Sequence, residues 1–437
     1  MEFKRYKLGD CLLLIRNGAV IQQRKGATGL PITRIETLSN NRFNRDRLGY
    51  ADITDAKLYS SYILEDCDLL MSHINSKEFL GRTILYKQKN NECIIHGMNL
   101  LRIKTNPLIL DSYYAYYLFQ TSYFRKIINS IRKDAINQSS ISISDICNLK
   151  FDLPSIENQR KIITILKDLD YKITINRQIN DNLEAMAKQL YDYWFVQFDF
   201  PNDEGKPYKS SGGKMIWNDQ LKREIPEGWN VVNLIDFAEI KNGATPSTAT
   251  PLNYGGDIIW ITPKDLSDQQ SKFVYRGERN ISQLGYDSCS TNLLPANSVL
   301  LSSRAPIGLV SIAKAELCTN QGFKNLVPHD ANNSLYLYYY IKYHIRQIEQ
   351  LGTGTTFKEV SREDLCKFPI LMPCNTLGYL LWVERMTQIA DEQFILTKEI
   401  ATLTKQRDEL LPLLMNGQVS VNYHLSKSSK SNSSYYK

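Results

Sequence analysis

An internal repeat sets the limits on how this chain can fold. The second half echoes the first at an offset of about 220 residues, far longer than the unit of a solenoid. Asn17-Gly18-Ala19 returns as Asn242-Gly243-Ala244. The stretch 31–38 resembles 259–266, and Tyr113-Tyr-Ala-Tyr-Tyr-Leu118 matches Tyr336-Leu-Tyr-Tyr-Tyr-Ile341. Ser144-Asp-Ile-Cys147 with Leu153-Pro154 matches Arg362-Glu-Asp-Leu-Cys366 with Met372-Pro373. The echoes are collinear, and each copy then runs into a long helical stretch. The fold must therefore be built twice from one domain-plus-helix module.

Each copy begins with short strand-like segments broken by Gly, Pro, Asn and Ser, such as 69–71, 83–86, 258–262 and 299–302. A tyrosine-rich helical segment follows, 113–131 capped by Asp111 or Ser112, and 335–349 capped by Asn333 or Ser334. The expected class is α+β: two similar domains, and two long helices forming an antiparallel coiled coil. The expected boundaries are 1–154 for the first domain, 155–198 for the central helix and 199–228 for a Pro/Gly/Ser-rich linker. The second domain is expected at 229–373, the C-terminal helix at 380–416 and a disordered tail at 417–437.

The helices carry a heptad seam. In the first, Ile162, Leu166, Leu169, Ile173, Asn176, Asn180, Leu183, Ala187, Leu190 and Trp194 recur at alternating spacings of four and three. In the second, Met386, Ile389, Gln393, Leu396, Ile400, Leu403, Arg407, Leu410 and Leu414 keep the same period. Pairing gives each seam an apolar partner, and Asn176 and Asn180 would fix register at some cost in stability.

Catalytic signatures are missing. There is no GxxxxGK[ST], since Gly213-Lys214 is followed by Met215, and no Pro-Pro for an Asn-Pro-Pro-aromatic methyltransferase. Gly352-Thr-Gly354 is a lone GxG, and Glu204-Gly-Lys206 is a chance E-x-K in the linker. The eight cysteines form no CxxC pair, and the five histidines show no ligand spacing, so neither a metal nor a disulfide framework is expected. No apolar run is long enough for a membrane span or a signal-peptide core, so the reading is cytoplasmic. The net charge is +7, which favours phosphate contacts without specifying them. A binding protein is what remains.

The junction between the copies narrows this. Tyr191-Asp-Tyr-Trp-Phe-Val-Gln-Phe-Asp-Phe-Pro201, Gly205-Lys-Pro-Tyr-Lys-Ser-Ser-Gly-Gly-Lys-Met215 and Glu224-Ile-Pro-Glu-Gly-Trp229 resemble the specificity subunits of type I restriction-modification systems. Asn158-Gln-Arg-Lys-Ile162, Trp260-Ile-Thr-Pro-Lys-Asp265 and Asn320-Gln-Gly-Phe-Lys324 extend the likeness over nearly the whole chain. One segment departs: where the second helix should open like Asn158-Gln-Arg-Lys-Ile162, the chain reads Cys374-Asn-Thr-Leu-Gly-Tyr-Leu-Leu-Trp382.

The resemblance implies two target-recognition domains, each reading one half of a split, asymmetric sequence in double-stranded DNA. It implies two modification subunits that methylate adenine N6 with S-adenosylmethionine, and two restriction subunits that use ATP and Mg. The chain itself would hold no cofactor. The coiled coil would act as a spacer. From Ile162 to Trp194, at ~1.5 Å per residue, it spans on the order of 50 Å, or about 15 base pairs at most. The rival classes are a self-contained DNA nuclease or methyltransferase, and a coiled-coil scaffold that binds no DNA.

Base edges take Arg, Lys, Asn and Gln, and phosphates take Arg, Lys, Ser and Thr. Polar clusters between strand-like segments are therefore the candidate DNA contacts. In the first domain these are Gln22, Gln23, Arg24, Lys25, Thr28, Asn40, Asn41, Arg42, Arg45, Asn137 and Gln138. In the second they are Thr245, Ser247, Thr248, Asn253, Tyr254, Lys264, Arg304, Thr353 and Thr355. The tyrosine clusters at 113–117 and 336–340 are expected to pack rather than stack on bases.

Overall fold

The computed structural model describes residues 2–39, 42–135, 138–304, 306–354, 358–373 and 377–419, the side chain of Leu377 excepted. The chain divides into two units, Met1–Ile173 with Thr402–Lys437, and Thr174–Ala401. The expected tail lies, from residue 420 onward, outside the described residues.

The first unit is built on a four-stranded antiparallel sheet in the order Leu12–Asn17, Leu100–Thr105, Leu69–Ser72, Thr83–Leu85. The inner strand Leu69–Ser72 is an apolar run because both of its faces are covered. Leu69 and Met71 pack with Leu101, Ile103 and the helices Ser112–Gln120 and Ser122–Ile131, while Leu70 faces Leu100, Ile84 and Tyr86. A two-stranded ribbon, Phe3–Lys7 against Lys150–Pro154, closes the copy on itself and delivers the chain to the first long helix, Ile156–Tyr191. Asn158 N–H donates to Ser155 Oγ at 3.4 Å at the start of that helix.

The second unit repeats this plan. Ala238–Asn242, Phe323–Pro328, Val299–Ser303 and Ile307–Ala313 take the same order, and Phe273–Val274 adds a fifth strand in parallel. Asn230–Asn233 pairs with Pro369–Met372, and the second long helix, Leu377–Met415, follows. Val299 and Leu301 face the helices Ser334–Tyr343 and Ile345–Gln350, and Leu300 faces the opposite core with Ile261 and Leu266.

Each tyrosine-rich helical segment is broken where continuity was expected. Thr121 stands in extended backbone, accepts from Phe124 N–H at 3.1 Å and donates to Leu118 O at 2.6 Å, so it stops one helix and caps the next. His344 makes the break in the second copy. The tyrosines pack: Tyr114, Tyr117, Tyr336, Tyr338, Tyr339 and Tyr340 are buried.

The two long helices run antiparallel in each unit. In the first, Ile162 and Leu166 share a core with Leu411 and Leu414, Ile173 and Leu403 are buried, and Leu169 and Leu410 are half-buried. Arg407 donates to Asp170 at 3.0 Å, and Tyr117 Oη donates to the other oxygen of that carboxylate at 2.7 Å. In the second, Ala187 packs with Met386 and Ala390, Leu396 is buried, and Leu183, Leu190, Ile389 and Ile400 are half-buried. There Gln393 donates to Glu184 at 3.1 Å. Asp170 and Glu184 stand two heptads apart in the sequence, as do Gln393 and Arg407, so the two pairs fall on equivalent heptad positions. Polar register pairs are therefore present, but the expected asparagines do not form them. Asn176 Nδ2 and Asn180 Oδ1 are buried without a hydrogen-bond partner among the described residues.

The segment expected to be a linker has structure of its own. Met215–Asn218 and Arg223–Pro226 form a hairpin, and Arg223 donates to Val196 O at 2.7 Å while stacking over Phe198. Trp194, Phe195, Phe198 and Trp229 build an aromatic core around it, which the Pro and Gly punctuation did not signal.

Candidate nucleic-acid interface

Antiparallel pairing gathers four strand termini at one end of each central sheet. In the first domain, Asn17 pairs with Leu101, Ser72 with Leu100, and Met71 with Thr83. In the second, Asn242 pairs with Lys324, Ser302 with Phe323, and Ser303 with Ile307. The opposite end carries the edge ribbon that leads to the long helix. The loops that join these strand ends therefore cluster away from the helix attachment.

The repeated Asn-Gly-Ala marks the entry to the first of these loops. Ala19 N–H donates to His96 O at 2.8 Å, and Ala244 N–H donates to Thr319 O at 3.0 Å. A Cβ on Gly18 would stand 2.7 Å from His96 O and closer still to Gly97 O. On Gly243 it would stand 2.5 Å from Thr319 O and closer still to Asn320 O. Glycine is required at both places because two backbones touch.

In the first domain the loop that follows is organised by Asp52, whose backbone φ is +56°. Its carboxylate accepts from Arg24 at 2.8 Å and from Thr28 N–H at 2.8 Å. Gln22, Lys25 and Thr28 are exposed, and Gln23 is half-buried with its carbonyl turned inward beside Gly49. Arg42 is exposed. Arg45 is committed internally: it makes a bidentate pair with Glu92, donates to Lys87 O at 2.8 Å and stacks over Phe43. Asn40, Asn41 and Asn137 lie outside the described residues. Gln138 is exposed at the start of a small ribbon in which Ser139–Ser140 pairs with Lys133–Asp134 and with Ile74–Asn75. There Ser139's hydroxyl, with Lys77 and Arg132, holds the Asp134 carboxyl well below its usual range.

In the second domain three side chains pin the loop by its carbonyls. Trp260 Nε1 donates to Ala244 O at 3.1 Å, Tyr254 Oη to Pro246 O at 2.7 Å, and Asn253 Nδ2 to Ser247 O at 3.0 Å. Asn253 is buried and Tyr254 half-buried, so both shape the loop from beneath, while Ser247 and Thr248 are exposed on it. Thr245 Oγ1 donates to Gln321 Oε1. Lys264 is exposed, and its ammonium is held above its usual range by the Glu278 carboxylate 2.8 Å away. Arg304, Glu359 and Thr353 lie side by side across two β-bridges. Thr355 lies outside the described residues.

The structure thus brings Thr245, Arg304 and Thr353 to one sheet end, together with Gln321, Lys324 and Glu359. Sequence reasoning had not chosen the last three, although Gln321 and Lys324 stood inside a family motif. Among the described residues, no group of three or more His, Cys, Asp or Glu could hold a metal ion, and no helix is long and apolar enough to cross a membrane.

Comparison with known proteins agrees with the doubled plan. The family described as type I restriction modification DNA specificity domain matches twice, over residues 1–185 and 226–410. A type I restriction enzyme MjaX specificity subunit assigned in Methanocaldococcus jannaschii is 32% identical over 95% of this chain and 93% of its own. The HindI specificity subunit of Haemophilus influenzae is 26% identical over 96% of this chain and all of its own. The crystal structure of a type I restriction-modification S subunit from M. genitalium shares the fold. Its TM-score is 0.59 at 12% identity, covering 95% of this chain and 96% of that one. With two copies of the domain spanning most of its length, the chain belongs to the type I restriction-modification DNA specificity family.

Proposed function

We propose that this chain supplies the address for a type I restriction-modification complex. Each domain reads one half of a split, asymmetric DNA target through its sheet-end loops. The observation that carries this is the repeated frame: the same sheet end is built twice, and its exposed side chains differ between the copies. In this reading Asn253, Tyr254 and Arg45 support loops, while Gln22, Arg24, Lys25, Thr28, Arg42, Gln138, Thr245, Ser247, Thr248, Lys264, Arg304 and Thr353 face DNA.

The chain is not an enzyme on this reading. Modification subunits, two per complex, carry S-adenosylmethionine and methylate adenine N6; two restriction subunits carry ATP and Mg. The long helices set the distance between half-sites.

The test is a methylation map. The chain is co-expressed with its modification subunit in a host lacking adenine methylation, with each alone as control. One split, asymmetric motif, methylated only when both are present, is the expected result. A stable complex with no motif would favour a scaffold, and methylation by this chain alone would make it an enzyme.

A further inference from the structure

The small ribbon at the sheet end occupies the same place in both domains. Ser140 pairs with Ile74 on one side and Lys133 on the other. Glu359 pairs with Arg304 and Thr353 in the same way. The anchoring bond is also shared: Ile141 N–H donates to His73 O at 2.9 Å, and Val360 N–H donates to Ser303 O at 3.0 Å. Lys133, Ser140 and Ile74 therefore correspond, position by position, to Thr353, Glu359 and Arg304. Residues directly opposite in antiparallel pairing project to one face, so each domain presents a row of three side chains.

The rows share a backbone and differ in chemistry. In the second domain Glu359 is the hub. Its carboxylate accepts from Lys324 Nζ at 3.1 Å, and its other oxygen lies 3.8 Å from Arg304 Nη1. Lys324's side chain is only 10% exposed, whereas that of Arg304 is 36% exposed. The buried ammonium offsets the carboxylate's charge. The 3.8 Å approach of Arg304 is too long for a hydrogen bond, and among the described residues no other partner holds its donors. A fork of donors and an acceptor thus stand side by side. In the major groove they match the two bases of one G·C pair: guanine O6 and N7 accept, and cytosine N4 donates. The first domain's row offers a different set, with Ile74 in place of the arginine, Ser140 in place of the carboxylate and Lys133 in place of Thr353.

We infer that Arg304 and Glu359 read a G·C base pair in the half-site of the second domain, with Lys324 as a positioning residue. The inference rests on the DNA-reading role proposed above.

The methylation map tests it with Arg304→Gln, Glu359→Gln, Lys324→Met and Lys324→Arg, each co-expressed with the modification subunit. The wild-type motif should contain a fixed G·C pair that R304Q and E359Q relax by about 10- to 100-fold, with the other half and the gap unchanged. K324M should relax the same base pair, whereas K324R, which keeps the charge, should retain it. Should the variants keep the wild-type motif at full stringency, the row does not read bases, although DNA reading by the domain stands. A uniform fall in methylation with the motif unchanged also overturns the inference, since it signals lost stability. A wild-type chain that yields no motif overturns both this inference and the reading beneath it.

Discussion

Replacing Gly243 by alanine should damage one half of the molecule in a measurable way. The new Cβ would stand 2.5 Å from Thr319 O and nearer to Asn320 O. Carbon–oxygen contacts settle near ~3.3 Å, so the two backbones must part by on the order of 1 Å. Overpacking of this kind costs about 1–3 kcal/mol. The Ala244 N–H to Thr319 O bond, 3.0 Å long, is stretched with it, adding roughly 1 kcal/mol. A total of about 3 kcal/mol lowers the melting temperature of a domain this size by roughly 6–12 °C. Gly18→Ala, against His96 O and Gly97 O, should cost the same in the first domain. Gly322→Ala is the milder comparison: the atoms nearest its Cβ are Asn320 Oδ1 and the Pro263 ring at 3.0 Å, side-chain atoms that need yield only by a few tenths of an ångström. Differential scanning calorimetry of the full chain reads all three. A melting temperature for G243A within a degree or two of wild type, or equal to that of G322A, would refute the close-approach argument. In the methylation map, G18A and G243A should each weaken a different half-site.

Three further outcomes are expected. Arg102 and Asp68 are both buried and joined at 2.7 Å, so Arg102→Met strands a carboxylate and should cost about 3–5 kcal/mol in urea unfolding, largely recovered in R102M/D68L; equal losses in both variants would contradict this. Inserting one heptad into each long helix adds about 10 Å of helix and should lengthen the unspecified gap by roughly 3 base pairs; an unchanged gap sinks the spacer role. Burial pushes the Lys272 ammonium down to about 8, against its neighbours Glu184, Gln393 and Tyr339. Because the unfolded chain then binds the extra proton above pH 8, stability of the wild type relative to Lys272→Met should rise from pH 8 towards 10. A flat difference across that range would show that the ammonium is not desolvated.

The doubled architecture, the two long helices and the family were legible in the order of the amino acids. Those signals are local or repeated: a heptad period, a turn that tolerates only glycine, a string of motif residues at the junction. Asn17-Gly18-Ala19 and Asn242-Gly243-Ala244 could be matched by eye because the same backbone collision constrains both. Which polar residues at the sheet end are available emerges once the chain is folded. Arg45 and Arg304 look alike in the sequence, yet a bidentate pair with Glu92 occupies the first, whereas Glu359 approaches the second loosely with Lys324 as its nearer partner. Asn253 resembles an exposed reader until its amide is found beneath the loop. The helix register belongs to Asp170 with Arg407 and Glu184 with Gln393, pairs separated by more than two hundred residues. A side chain's free donors depend on partners brought close by strand order and helix pairing. Periodicity and propensity report which surface a residue faces, but they do not report what it meets there.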